Sequence, residues 1–116
     1  MRDFRDLKVW QKAHRFALSI YRQTQGFPPE ERFGLTNQLR RAAASVASNI
    51  AEGCGRDGER ELARFLSIAA GSASETEYQL LLARDLGYIP DDGYRQLDMQ
   101  ANEIKRMLNA FLQTLS

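Results

Sequence analysis

Three groups of residues in this chain have types and spacing that could do chemistry. The first is Gly53-Cys54-Gly55-Arg56-Asp57-Gly58, a literal G-x-G-x-x-G that carries the single cysteine. Glycines in that pattern cradle a dinucleotide only when a strand precedes them inside a βαβ unit. Here an alanine-rich helical segment precedes, and no parallel-strand pattern occurs anywhere. The glycines therefore read as a helix stop and a tight interhelical turn. The Lys-Ser/Thr ending of a phosphate loop is absent too, and Cys54 reads as a spectator thiol. The second group is the carboxylate pair Glu52 and Glu75, the type that holds metals or does acid–base work. No Glu-x-x-His accompanies them, and the only histidine, His14, cannot complete a usual site. No catalytic, cofactor or metal role is expected from either group.

The third group is cationic. Arg5, Lys8, Lys12, Arg15 and Arg22 follow one another at steps of three, four, three and seven, with no acid interleaved after Asp6. That spacing puts them on one face of a helix. Arg56, Arg60 and Arg64 repeat every four residues further on and extend the basic surface. Such a stripe is either a solvated helix face or a set of phosphate contacts. Helix-spaced lysines and arginines can follow a nucleic-acid backbone, but they carry no sequence code.

Four helical segments position these groups. The spacing of Val9, Ala13, Phe16 and Ile20 predicts a first helix over about 6–25, with Trp10, Ala17 and Tyr21 widening its apolar arc. Leu7, His14 and Leu18 lie beyond the edge of that arc. Gly26 and the two prolines after it end the helix, Gly26 as a left-handed cap and Pro29 opening a short turn. Thr36 is the expected N-cap of a second helix over about 37–52. Leu39, Ala43, Val46 and Ile50 form its core line, and Ala42, Ala44, Ala47 and Ala51 let neighbouring backbones approach closely. Its polar arc holds Arg41, Ser45, Asn49 and Glu52, either a plain exposed face or a partly buried hydrogen-bond network. A third helix is predicted over about 59–86, with Leu62, Phe65, Leu66, Ala69, Ala73, Thr76, Leu80 and Ala83 turned inward. Gly71 in mid-helix implies close approach of another helix. Asp91 or Asp92 caps a fourth helix over about 91–115, whose Tyr94, Leu97, Ala101, Ile104, Leu108, Phe111 and Leu115 alternate steps of three and four. Short turns between such helices make an antiparallel up-down-up-down four-helix bundle, all-α, the expected architecture.

The bulk properties agree. The 116 residues suit one domain over 1–116, and 43% hydrophobic with 27% charged is ordinary for a water-soluble domain. Met1 to Leu7 is too polar for a signal peptide, no apolar run reaches membrane-span length, and a cytoplasmic setting with no membrane partner is expected. Net charge is +1 but uneven. Residues 1–58 hold ten Lys/Arg against six Asp/Glu, a balance of +4, and residues 59–116 hold six against nine, a balance of −3.

With these residues on the page, the chain resembles the four-helix bundle proteins encoded in intervening sequences of bacterial 23S rRNA genes. The resemblance is carried by Phe4 through Ala13, then Ile20-Tyr21, Thr24, Phe27-Pro28 and Glu31 through Leu35. It continues with Gln38 through Ala42, Ser45, Asn49 through Gly53, Arg56 and Arg64-Phe65-Leu66. Ala69, Gly71-Ser72, Glu75, Gln79-Leu80 and Leu86-Gly87-Tyr88 complete it, so nearly the whole chain is covered in order. Two positions depart from the family pattern. Val46-Ala47 stands where Ile-Pro is common, and Gly58 stands where a serine would form a capping box with Glu61. The resemblance implies ring-shaped homo-oligomers, commonly homopentamers, without established enzymatic activity. It also implies association with RNA or the ribosome. A similar bundle, the accessory variability protein of diversity-generating retroelements, binds nucleic acid and a reverse transcriptase. The functional expectation is a non-enzymatic oligomer that binds RNA or DNA through the helix-one stripe. The alternative is a protein-interaction scaffold, for instance for a reverse transcriptase. In either case the strip of Arg41, Ser45, Asn49, Glu52 and Glu75 is expected to be structural.

Overall fold

Apolar residues recurring every three or four positions can be buried together only if each segment coils into a helix and turns that face inward. The computed structural model describes residues 2–115, so Met1 of the polar amino-terminal stretch lies outside the described residues. It contains α1 (Lys8–Thr24), α2 (Leu35–Cys54), α3 (Glu59–Asp85) and α4 (Asp91–Gln113). Single 3-10 turns at Phe4–Asp6 and Pro29–Glu31 precede α1 and α2, and no strand occurs among the described residues.

The helix ends differ from expectation for local reasons. α1 starts at Lys8 because Leu7 is extended, while Asp3 caps the preceding turn through the Arg5 N–H at 3.0 Å. Gly26 does not adopt a left-handed conformation; among the described residues positive φ occurs at Gly58 and Gly87. The last carbonyls of α1 accept instead from the turn that follows, Arg22 from Gln25, Gln23 from Gly26 and Thr24 from Phe27, while Arg40 donates to the Tyr21 carbonyl at 3.2 Å and to Thr24 Oγ1 at 2.8 Å. α2 starts at Leu35, so Thr36 is buried inside the helix rather than capping it. The cap comes from Glu31, whose Oε1 accepts the Leu35 N–H at 3.0 Å. α2 also continues through Gly53 to Cys54 instead of stopping at Glu52. A Cβ at Gly53 would lie 3.0 Å from Phe65 Cβ, so glycine is kept where α3 crosses closely.

α3 begins without a side-chain cap at Gly58. It ends in a Schellman motif: Gly87, at φ 79°, donates to the Arg84 carbonyl, and the Tyr88 N–H donates to Ala83, both at 2.9 Å. Pro90 precedes α4, and Asp91 and Asp92 sit in its first turn as acids at the positive helix end rather than as caps. The close approach expected at Gly71 is not made within the chain, since a Cβ there would meet nothing within 4 Å.

Each helix packs on its neighbours in sequence, and α4 closes against α1, giving a four-helix bundle of 43 × 23 × 20 Å. Phe16 and Ile20 of α1, Leu39 and Ile50 of α2, Leu66 and Leu80 of α3, and Ile104 and Leu108 of α4 are fully buried. Each such side chain stabilises the fold by about 1.5–3 kcal/mol relative to exposure.

Candidate nucleic-acid interface

On α1 the core line of Val9, Ala13, Phe16 and Ile20 is buried. Lys8, Lys12, Arg15 and Arg22 lie on a different face, at whose edge Lys12 reaches α4. Lys8, Arg15 and Arg22 are exposed and make no ion pair among the described residues. Lys12 differs: its ammonium lies 3.0 Å from Glu103 of α4, so its charge is already answered. Arg5, on the turn before the helix, pairs with Asp3 at 3.3 Å and lies over the Phe4 ring.

The second cationic set gathers at the α2–α3 connection. Arg56 pairs with Glu52 at 3.2 Å and lies 5.2 Å from the centre of the Phe65 ring. Arg64 covers Phe65 at 4.4 Å and donates to Glu61 through Nε and Nη2, at 3.0 and 3.3 Å. That hydrogen bonding lowers the Glu61 pKa and raises that of Arg64. Arg60 is exposed with no ion-pair partner among the described residues. Sequence reasoning passed over Arg2. Its N–H donates to the Cys54 carbonyl at 3.1 Å, which folds the amino-terminal segment onto the end of α2. Its guanidinium lies over Phe111, and it shares a hollow of about 200 Å³ with Arg56 and Gly58. The signal was present: Arg2, Arg5 and Lys8 are three residues apart.

The polar strip is a partly buried hydrogen-bond network at its centre. Asn49 donates to the Ser45 carbonyl at 2.8 Å and to Ser45 Oγ at 2.9 Å, and Ser45 Oγ meets Ser72 Oγ of α3 at 3.0 Å. The strip's ends behave otherwise. Glu52 serves Arg56, and Glu75 accepts from Gln79 at 3.1 Å, so the two acids engage different partners. Arg41 and Glu75 line a shallow cleft of about 280 Å³ with Ser45. Cys54 is buried, and burial pushes its thiol pKa up, away from the reactive thiolate. His14 stacks flat on Trp10 at 5.1 Å.

The protein family described as "23S rRNA-intervening sequence protein" matches residues 5–110. Among curated proteins, none matches. The chain is similar to a crystal structure of a protein with unknown function from the S23 ribosomal protein family of Bacteroides thetaiotaomicron. Identity is 27%, the match covers 90% of this chain and 97% of the other, and the TM-score is 0.81.

Proposed function

The chain belongs to the 23S rRNA-intervening sequence protein family, and on that premise we propose that it is a non-enzymatic, homo-oligomeric nucleic-acid-binding protein. It works in the cytoplasm and contacts phosphates through α1. The observation that carries this reading is the exposed run of Lys8, Arg15 and Arg22, without an acidic partner among the described residues. Arg60 and Arg2 add cations at the α2–α3 end. RNA is the target class favoured by the family description and by the ribosomal family of the structural neighbour.

One copy with net charge +1 binds weakly. Repetition around a symmetric ring, for which a pentamer is the expected form, turns a short stripe into a continuous positive belt. Ser45 meets Ser72 while Gly53 meets Leu62 and Phe65, and Glu77 meets Lys105 while Arg84 meets Tyr94. Residue numbers fall on one helix as they rise on the next, which supports an antiparallel up-down-up-down bundle.

A second reading, a scaffold for another protein such as a reverse transcriptase, rests on the apolar surface between α1 and α2. Titration of fluorescent single-stranded RNA and duplex DNA separates the two. The wild type should bind at low salt. The combined Lys8→Glu, Arg15→Glu, Arg22→Glu variant should not, although its helical circular dichroism and solution mass are retained. Equal binding by both proteins removes the stripe from the function.

A further inference from the structure

The seam between α1 and α4 carries a polar groove beside the cationic stripe. On α1, Lys8, Lys12, Arg15, Ser19 and Arg22 run at steps of four, three, four and three, so Ser19 stands in line with the stripe. On α4, Gly93, Gln96, Gln100 and Glu103 run at steps of three, four and three. The two lines meet where Lys12 pairs with Glu103 at 3.0 Å. Toward the end of α1 and the start of α4, the seam opens into a groove of about 440 Å³. Ser19, Arg22 and Gln23 wall it from α1, and Gly93, Gln96 and Gln100 from α4. No acidic side chain among the described residues lines it. The side-chain amides of Gln23, Gln96 and Gln100 make no hydrogen bond among the described residues. Gln23 and Gln100 are nevertheless partly buried. Gly93 lies inside α4 without a positive φ, so its backbone does not call for glycine. A Cβ there would lie 3.2 Å from Gln23 Oε1, so glycine leaves that amide its place in the groove.

We propose that this groove takes an unpaired base of the RNA strand whose phosphates lie along the stripe, and that the base its amides match is adenine. The proposal rests on the phosphate-binding reading above and adds base readout to a contact that carries no sequence information. Arg22 belongs to both surfaces, so a phosphate held by it brings its own base to the mouth of the groove. Single strands offer their base edges unpaired. An amide side chain presents a carbonyl acceptor beside an N–H donor. Adenine presents the complementary pair, an exocyclic amine beside a ring-nitrogen acceptor, and a glutamine engages both at once. A carboxylate, which would favour the amine of cytosine, is missing from the lining. The cation that would favour guanine is Arg22, and the phosphate engages it. Uncharged amides next to unanswered cations thus divide a nucleotide between them, base inside the groove and phosphate on the stripe.

The test titrates the wild type, at fixed low salt, into fluorescent RNA single strands of equal length and charge: all-U, repeating UUA and repeating UUG. The UUA strand should bind roughly fivefold tighter or better than the other two, the discrimination of one bidentate amide–adenine pair. Replacing its adenosines by purine riboside, which lacks the exocyclic amine, should return it to the all-U affinity. The combined Gln23→Ala, Gln96→Ala, Gln100→Ala variant should lose the UUA preference. It should keep the all-U affinity and the salt slope, because the phosphate contacts remain. Alanine is the best helix former, so the helical signal should be retained. A wild type that binds none of the strands overturns the phosphate-binding reading and this one with it. A wild type that binds all three alike, with affinity falling steeply with salt, overturns the base reading alone. A preference for UUG, or a UUA preference untouched by purine riboside, overturns the adenine assignment. A UUA preference that survives the amide variant, or all-U binding that disappears with it, overturns the groove as the reader.

Discussion

Glu31 holds three parts of the molecule with one carboxylate. One oxygen accepts the Leu35 N–H that opens α2, and the other accepts the Tyr88 hydroxyl at 2.8 Å from the α3–α4 connection. The Leu35 bond first, then the Tyr88 bond, lowers the Glu31 pKa, and the same contact raises that of Tyr88. A carboxylate with a lowered folded pKa stabilises the fold above the ordinary carboxylate range and loses that contribution as pH falls through its folded value. Thermal melts of the wild type should therefore drop on acidification below the ordinary carboxylate range. Glu31→Gln should start lower at neutral pH and show a smaller drop; identical profiles would mean that the contact contributes nothing. The basic residues divide by the same reasoning. Lys12 already has Glu103 at 3.0 Å, whereas Lys8 has no acidic partner among the described residues. Lys8→Ala should weaken RNA binding more than Lys12→Ala in a side-by-side titration at low salt.

At the scale of the element, what was legible in the sequence was periodicity. The inward lines of all four helices, from Val9–Ile20 through Leu39–Ile50 and Leu62–Ala83 to Leu97–Leu108, are the buried lines of the structure. Burial is a property of the whole face, so the spacing carries it. Helix ends are set by turn geometry and by side chains arriving from elsewhere, which spacing does not carry. The turn after Thr24, with Arg40 of α2, closes α1, and Glu31 opens α2 from the preceding turn, so Gly26 takes no left-handed cap and Thr36 no capping role. The stripe face was legible as a face, but the pairing of Lys12 with Glu103 needed the approach of α4. Two glycines separate close packing from backbone freedom. Gly53→Ala places a methyl 3.0 Å from Phe65 Cβ, which cannot swing away, and should destabilise by about 1 kcal/mol despite the better helix propensity. Gly58→Ala meets open space but needs φ 85°, and should cost about 1–3 kcal/mol in chemical denaturation. Equal stability of the wild type and both variants contradicts both arguments.

For the whole molecule, a net charge of +1 hides a basic first half and an acidic second half. The cations of the first half that lack an acidic partner among the described residues include Lys8, Arg15 and Arg22 of α1, on surface that the core leaves free. The centre of the polar strip, expected to be structural, is engaged within the fold, Asn49 bonding Ser45 and Ser45 meeting Ser72. The central claim is that phosphates are neutralised by Lys8, Arg15 and Arg22, and counterion release reports that directly. The measurement is the affinity for a fluorescent single-stranded RNA across a salt series, for the wild type and for the Lys8→Glu, Arg15→Glu, Arg22→Glu variant. The wild-type log–log slope should be steeply negative, and the variant's should be shallower by roughly 0.7 per lost phosphate contact. A variant with the wild-type slope and affinity contradicts the account.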